Sequence, residues 1–72
     1  MKAEFIQSII YKERDSFGTH VRGYIHKFKS KKEVVRIFTE KDIEFEKFVN
    51  IKYLPQNKLE VEGDIFPIYI EK

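Results

Sequence analysis

The sequence predicts an all-β (mainly β) domain: a small sheet of five to six antiparallel strands that is barrel-like or strongly bent. Three observations predict it. β-Branched and aromatic residues fall in short runs. The two prolines and three glycines lie mostly between those runs, as turn residues do. A length of 72 residues allows one domain, residues 1–72, with a core so small that oligomerisation would help to stabilise it.

The first predicted strand is Glu4–Tyr11, which is rich in isoleucine and aromatic residues. Gln7 and Ser8 separate its two apolar groups, and this interruption predicts a bulge or a change of buried face. The charged stretch Lys12–Asp15 and the three residues after it predict a turn.

Two alternating runs, His20–Phe28 and Glu33–Thr39, flank a lysine-rich turn and predict a β-hairpin. A three-residue loop, Ser30–Lys32, would place Ile25 opposite Ile37. We prefer this loop because a slip of one residue would move every side chain to the other face. The loop contains no glycine, so we expect one of its residues to have a positive φ.

This register gives the hairpin two apolar faces. The face predicted to be core carries Val21, Ile25, Val35 and Ile37. The second face mixes aromatic, apolar and basic side chains: Arg22, Tyr24, His26, Phe28, Val34, Arg36 and Phe38. Such a sheet has to be covered on both sides, curl into a barrel, or present its second face to a partner.

The segment Thr39–Leu54 predicts two short strands, because Ile43 and Phe45 alternate with acids and a second alternation runs through Val49, Ile51 and Tyr53. The alternative is one short helix over Lys41–Asn50, near residues 40–50. A capping-box pattern at its start supports the helix. Against it, Ile43 and Phe45 would lie about 200° apart on a helical wheel.

The last third of the chain predicts two further strands. Pro55–Lys58 is a turn signal, and Leu59–Glu62 alternates over two periods. A second turn at residues 63–64 leads into Ile65–Ile70, where Pro67 predicts an edge strand or a bulge.

The region from Gly23 to Leu54 has a recognisable order. A hairpin strand with Gly23-Tyr24-Ile25 precedes a basic turn, the strand Val34–Phe38 and the run Ile43–Ile51. In this order the chain resembles the small YolD-like bacterial proteins and, more loosely, SH3-like or Sm-like barrels. The resemblance covers less than half of the chain and rests on apolar positions alone. It implies a small bacterial accessory protein linked to DNA-damage tolerance, and it carries over no catalytic residue. A phage accessory protein that inhibits a host protein would have the same sequence features.

The motifs of enzyme and metal sites are missing from the sequence. There is no cysteine, and three isolated glycines cannot form a nucleotide-binding loop. No serine has a Gly-x-Ser-x-Gly context. His20 and His26 would lie roughly 20 Å apart along one strand, too far to share a metal ion. We therefore expect a protein that is not an enzyme and has no metal and no cofactor.

Charge is unevenly distributed, although the net charge is only +2. Residues 20–36 carry six basic side chains against one acid, while residues 37–72 carry five lysines against eight acids. The basic part can attract an anionic partner. The start of the chain lacks a signal-peptide pattern, and no apolar run reaches the roughly 18 residues of a membrane span. These features lead us to expect a cytoplasmic protein with no membrane partner.

Two functions fit these features. The first is an adaptor-type or inhibitor-type module that binds a protein partner, or a second copy as a homodimer, through the aromatic-basic face or a free strand edge. The second is a single-stranded nucleic-acid-binding module of the hairpin 20–38, since rings stack on bases and cations neutralise phosphates. The acidic second half of the chain favours the first. The candidate binding residues are Arg22, Tyr24, His26, Phe28, Lys29, Lys31, Lys32, Arg36 and Phe38. The competing interpretation makes the aromatic residues core and the lysines a device that keeps the edge soluble.

Overall fold

The structure is a computed structural model that describes residues 1–70, and these residues form six antiparallel strands and no helix. The strands are β1 (Lys2–Asp15), β2 (Gly18–Ser30), β3 (Glu33–Thr39), β4 (Phe48–Leu54), β5 (Lys58–Val61) and β6 (Asp64–Pro67). They lie in one sheet in the order β3-β2-β1-β4-β5-β6. The predicted all-β class, a strongly bent antiparallel sheet, is confirmed.

The two ends of the sheet meet at a point just after β6. Ile68 forms an isolated bridge with Ile37 of β3, and the backbone N–H of Tyr69 donates to the Arg36 carbonyl at 2.8 Å. These contacts are local and do not form a continuous ladder, so the sheet is bent rather than closed. Pro67 ends β6, the last strand in the sheet order, which agrees with its predicted edge position.

The core lies on one side of the bent sheet, which we call the inner face; the other side is the outer face. Strands β4 and β5 bury alternate residues there, as a half-buried strand does. The buried cluster consists of Ala3, Phe28, Val35, Ile37, Val49, Ile51, Leu59 and Val61, with Phe5, Phe45, Phe66 and Ile68 packed against it.

Residues 42–46, between β3 and β4, form neither the predicted strand nor the alternative helix. The Phe45 ring packs into the core, with its centroid 5.1 Å from that of Phe28 and 5.8 Å from that of Phe5. Glu44 and Glu46 on either side are exposed. The strand expected around Ile43 and Phe45 is absent, because the alternating pattern there comes from a single ring inserted between two solvated acids, and the alternative helix is absent as well. The second predicted strand, through Val49, Ile51 and Tyr53, is present as β4.

β1 and β2 are longer than the sequence predicted. Lys12–Asp15 continues β1, because these residues pair with β2 from Gly18 to Val21. The turn is therefore only Ser16-Phe17, where an Asp15 carboxylate oxygen accepts a hydrogen bond from the Phe17 N–H at 2.7 Å. The expected bulge in β1 is present at residue 6, where the register with β2 shifts.

The β2–β3 connection is a two-residue turn, Lys31-Lys32, so the predicted three-residue loop is wrong. Lys31 adopts a φ of 48°, the positive value expected for a turn without glycine. Because Ser30 pairs with Glu33 across this turn, the whole register differs by one residue from the prediction.

Candidate functional site

The observed register separates the aromatic residues that were predicted to share one surface. Phe28 lies opposite Val35 on the inner face and is completely buried. Phe38 lies opposite Ile25, and alternation places both on the outer face. The prediction that Tyr24, Phe28 and Phe38 form one exposed surface is therefore wrong, and so is the grouping of Ile25 with Ile37.

His26 also belongs to the inner face, where it is completely buried rather than available to a partner. Its Nε2 lies 2.8 Å from the Thr39 hydroxyl, and its Nδ1 lies 2.5 Å from the Ser8 hydroxyl. The Thr39 hydroxyl donates its single hydrogen to the Lys41 carbonyl at 2.7 Å. Nε2 must therefore donate to Thr39, which leaves Nδ1 to accept from Ser8.

This arrangement fits a neutral imidazole that holds three parts of the chain together. Burial lowers the pKa of His26 from its usual 6.5, and the carboxylate of Asp42 opposes this with a smaller effect. A serine–histidine pair of this kind exists in hydrolases, but there a carboxylate stabilises the imidazolium. Here the second ring nitrogen of His26 bonds to the hydroxyl of Thr39, which carries no charge, instead of to a carboxylate. The geometry favours a structural role for His26.

The lowered pKa of His26 predicts a pH-dependent stability. The unfolded chain takes up a proton near pH 6.5, whereas the folded protein takes it up only at lower pH. The contribution of His26 to the free energy of unfolding should be constant above about pH 7 and fall as the pH drops through 6.5 toward the folded-state pKa. Urea titrations between about pH 7 and about pH 5 measure it. His26→Gln should flatten this dependence; an unchanged slope in that variant would assign it to other groups.

The outer face carries a basic patch, which we define as Lys27, Lys29 and Arg36 with the turn residues Lys31 and Lys32. Lys27 lies directly opposite Arg36, an arrangement of like charges that destabilises a strand pair. Among residues 1–70 the contacts within 4.0 Å between basic and acidic side chains are His20–Asp15 and Arg22–Glu13, so the patch has no such acidic partner there.

Aromatic residues lie on the outer face next to the basic patch. The ring of Phe38 meets Tyr11 edge to face, with the two centroids 6.0 Å apart, and Tyr11 contacts Tyr69. Gly23 makes room for this packing, because a Cβ there would lie 2.5 Å from the Phe38 ring and 2.5 Å from the Thr39 carbonyl oxygen. Phe38 is thus half-buried and is not a free stacking platform.

The second surface is a projecting β-ribbon, which we call the arm and define as residues 9–23. β1 pairs with β4 only up to Glu4, and β2 pairs with β3 only from Tyr24, so the arm consists of two strands with no third strand paired to it. Contacts with the rest of the molecule are made at its base, by Tyr11 and Gly23. The molecule is elongated, with extents of 43 × 25 × 22 Å. A two-stranded ribbon buries little on its own.

Apolar side chains of the arm are exposed on both of its faces. Ile10 and Val21 lie on one face, 54% and 53% exposed, near the half-buried Tyr24. Ile9 is exposed on the other face, and Phe17 at the tip is 90% exposed. Clusters of exposed apolar residues mark sites of interaction.

The candidate residues named from the sequence are divided among these places. The basic patch contains Lys29, Lys31, Lys32 and Arg36. Tyr24 borders the arm. Arg22 lies on the arm, where its side chain pairs with that of Glu13 at 3.2 Å. The sequence analysis missed the arm because Lys12–Asp15 was taken as a turn. The available signal was the strand-like alternation of charge in that stretch, followed by Ser16-Phe17-Gly18.

No protein-family model matches the chain, and neither the curated proteins nor the solved structures include a significantly similar one. The resemblance to YolD-like proteins and small barrels thus stays a prediction. Within residues 1–70, no helix has the length and apolar character needed to cross a membrane.

Proposed function

We propose that the protein is a non-enzymatic protein-binding module that docks through the arm. The observation that carries this proposal is the exposure of apolar side chains along a ribbon that the rest of the molecule does not cover. Burying a leucine-sized side chain in an interface contributes roughly 1.5 to 3 kcal/mol. Ile9, Ile10 and Val21 are about half exposed and gain part of this amount each, while Phe17 at the tip, 90% exposed, gains most. These side chains can therefore contribute to a specific complex.

The unpaired backbone of β1 adds a second source of affinity. The Phe5 N–H donates to the Lys47 carbonyl at 2.7 Å, and from there residues 42–46 turn inward and leave the strand. Residues 6–15 of β1 then have β2 on one side only. A strand of a partner can add to such an edge through backbone hydrogen bonds, while the apolar side chains give selectivity.

A capture experiment with matched variants tests this function. Val21→Lys changes the arm, and Ile65→Lys makes the same substitution at a comparably exposed residue of β6, 58% exposed. From extract of the cells that encode the protein, treated with nuclease, we expect wild type and Ile65→Lys to retain the same partner and Val21→Lys to lose it. Equal capture by both variants would contradict docking through the arm.

A second candidate function, binding of single-stranded nucleic acid, is supported by the unpaired like charges of Lys27 and Arg36. A phosphate backbone placed across the patch would neutralise both cations. The resemblance to YolD-like proteins, which implies a link to DNA-damage tolerance, agrees with this candidate.

Salt dependence tests the nucleic-acid candidate. If three phosphates are contacted, the affinity for a labelled oligothymidylate should fall roughly 20-fold between about 50 and about 200 mM salt. Arg36→Gln should weaken binding and reduce the slope, whereas Lys58→Gln on β5 should change neither. Fluorescence anisotropy measures both, and an affinity independent of salt would contradict phosphate contacts.

A further inference from the structure

The free edge of β1 has a length and a sequence that allow it to pair with itself. It runs from residue 6 to residue 15, and its midpoint falls between Ile10 and Tyr11. In a symmetric antiparallel pair, residues that face each other across the junction lie on the same side of the sheet. One residue of β1 must then lie opposite itself in the second copy.

Pairing centred on Ile10 matches apolar with apolar residues. Ile10 then lies opposite Ile10 of the second copy, and Ile9 lies opposite Tyr11 of the second copy. The next pairs outward join Ser8 to Lys12 and Gln7 to Glu13, so no like charges are opposed. This ladder covers residues 7–13 and stays within the free edge, which ends where Lys47 bonds to Phe5.

The neighbouring registers oppose unfavourable groups. Centring on Tyr11 places Ile10 opposite Lys12 and Ile9 opposite Glu13. Centring on Lys12 or on Glu13 places each of these charged residues opposite itself, and like charges directly opposite are destabilising. Centring on Ile9 opposes no like charges, but it places Ser8 opposite Ile10 and Gln7 opposite Tyr11, so that polar residues face apolar ones. The pattern of apolar and charged residues thus favours centring on Ile10, and it favours a second copy of this chain over a partner of a single charge sign.

We propose that two copies of the protein associate through the free edges of β1, antiparallel and centred on Ile10. The inference rests on the proposed docking role of the arm and names its partner. The two-stranded ribbons of the two copies become one continuous four-stranded sheet in the arm region. This sheet is more stable than an isolated two-stranded ribbon, which is only marginally stable. Ile9, Ile10 and Tyr11 of each copy lose solvent exposure at the centre of the junction.

Sedimentation velocity over a range of protein concentrations tests the association. Wild type and Ile65→Lys should form dimers with the same dissociation constant. Ile10→Lys should raise that constant about tenfold or more, since it places two cations opposite each other at the centre. Ile10 is exposed, so this variant should fold. A wild-type protein that stays monomeric at the highest concentration would overturn the inference.

Cross-linking tests the register, because the chain contains no cysteine of its own. Ile10→Cys should cross-link to itself with a short bismaleimide. Lys12→Cys should not, because two copies of residue 12 would lie about 13 Å apart, four residues along the strand. A mixture of Ser8→Cys and Lys12→Cys should cross-link as a heterodimer. Equal self-cross-linking at residues 10 and 12 would contradict the register.

The outcomes separate this inference from the proposed function. A monomeric protein whose arm still captures a different protein would overturn self-association and leave docking through the arm intact. A dimer that is unaffected by Ile10→Lys, together with equal capture of the partner by Val21→Lys and Ile65→Lys, would contradict both.

Discussion

Phe28→Ala should remove about 3 to 5 kcal/mol from the free energy of unfolding. Phe28 is completely buried, and its ring contacts Phe5 at 5.6 Å and Phe45 at 5.1 Å between centroids. Truncation loses the burial of the ring and leaves a cavity where three aromatic residues meet. A domain of 72 residues has about 4 to 11 kcal/mol of stability in total. We therefore expect Phe28→Ala to be largely unfolded or to unfold at much lower urea concentration.

Phe17→Ala is the matched control, because it removes the same atoms from the 90% exposed tip of the arm. It should change the free energy of unfolding by less than about 0.5 kcal/mol. Urea titrations followed by circular dichroism measure both variants. Equal stability of Phe28→Ala and Phe17→Ala would mean that Phe28 is on the surface, as in the hairpin register that was predicted from the sequence.

Gly23→Val should destabilise the protein by about 3 kcal/mol. A Cβ at residue 23 would lie 2.5 Å from the Cζ of Phe38 and 2.5 Å from the carbonyl oxygen of Thr39. The ring can rotate away, but the carbonyl belongs to the β3 backbone and cannot move without opening the β2–β3 ladder. The added methyl groups of valine enlarge the clash.

A double-mutant cycle separates the two clashes. In a Phe38→Ala background, Gly23→Ala should cost less than it does in wild type, because the clash with the ring is gone. The remaining cost measures the clash with the Thr39 carbonyl. Identical costs of Gly23→Ala in both backgrounds would show that Phe38 does not lie over Gly23.

The sequence was sufficient for the fold class, for the limits of β3, and for the edge position of Pro67. The run Glu33–Thr39 is rich in β-branched and aromatic residues, and the strand has the predicted bounds. Pro67 lacks the N–H that a central strand requires, and it lies in the last strand of the sheet. These features depend on residue type and period, which can be counted directly along the chain.

The register of the hairpin depends on a backbone angle that residue types did not reveal. A two-residue turn needs a positive φ, for which glycine or asparagine is the usual signal, and here Lys31 supplies it. The error of one residue exchanged the faces and moved Phe28 and His26 from the proposed surface into the interior. The buried position of His26 was also not predicted, because its hydrogen-bond partners Ser8 and Thr39 lie on two other strands and depend on the same register.

The candidate site was only partly predictable from the sequence. The sequence identified the lysines of the β2–β3 turn and Arg36 as candidate binding residues. It did not identify the residues that lie opposite them on the neighbouring strand. The arm depends on where β4 stops pairing with β1, which is set by the insertion of Phe45 into the core. Such a tertiary contact leaves no periodic signal in the sequence.

The most direct test of the central claim, that Phe28 faces the core while Phe38 faces outward, is a nuclear Overhauser measurement on the aromatic protons. The structure predicts cross-peaks between Phe28 and the rings of Phe5 and Phe45, and between Phe38 and both Tyr11 and the Gly23 α-protons. Cross-peaks joining Phe28 to Phe38, without those to Phe45, would place both rings on one face and contradict the account.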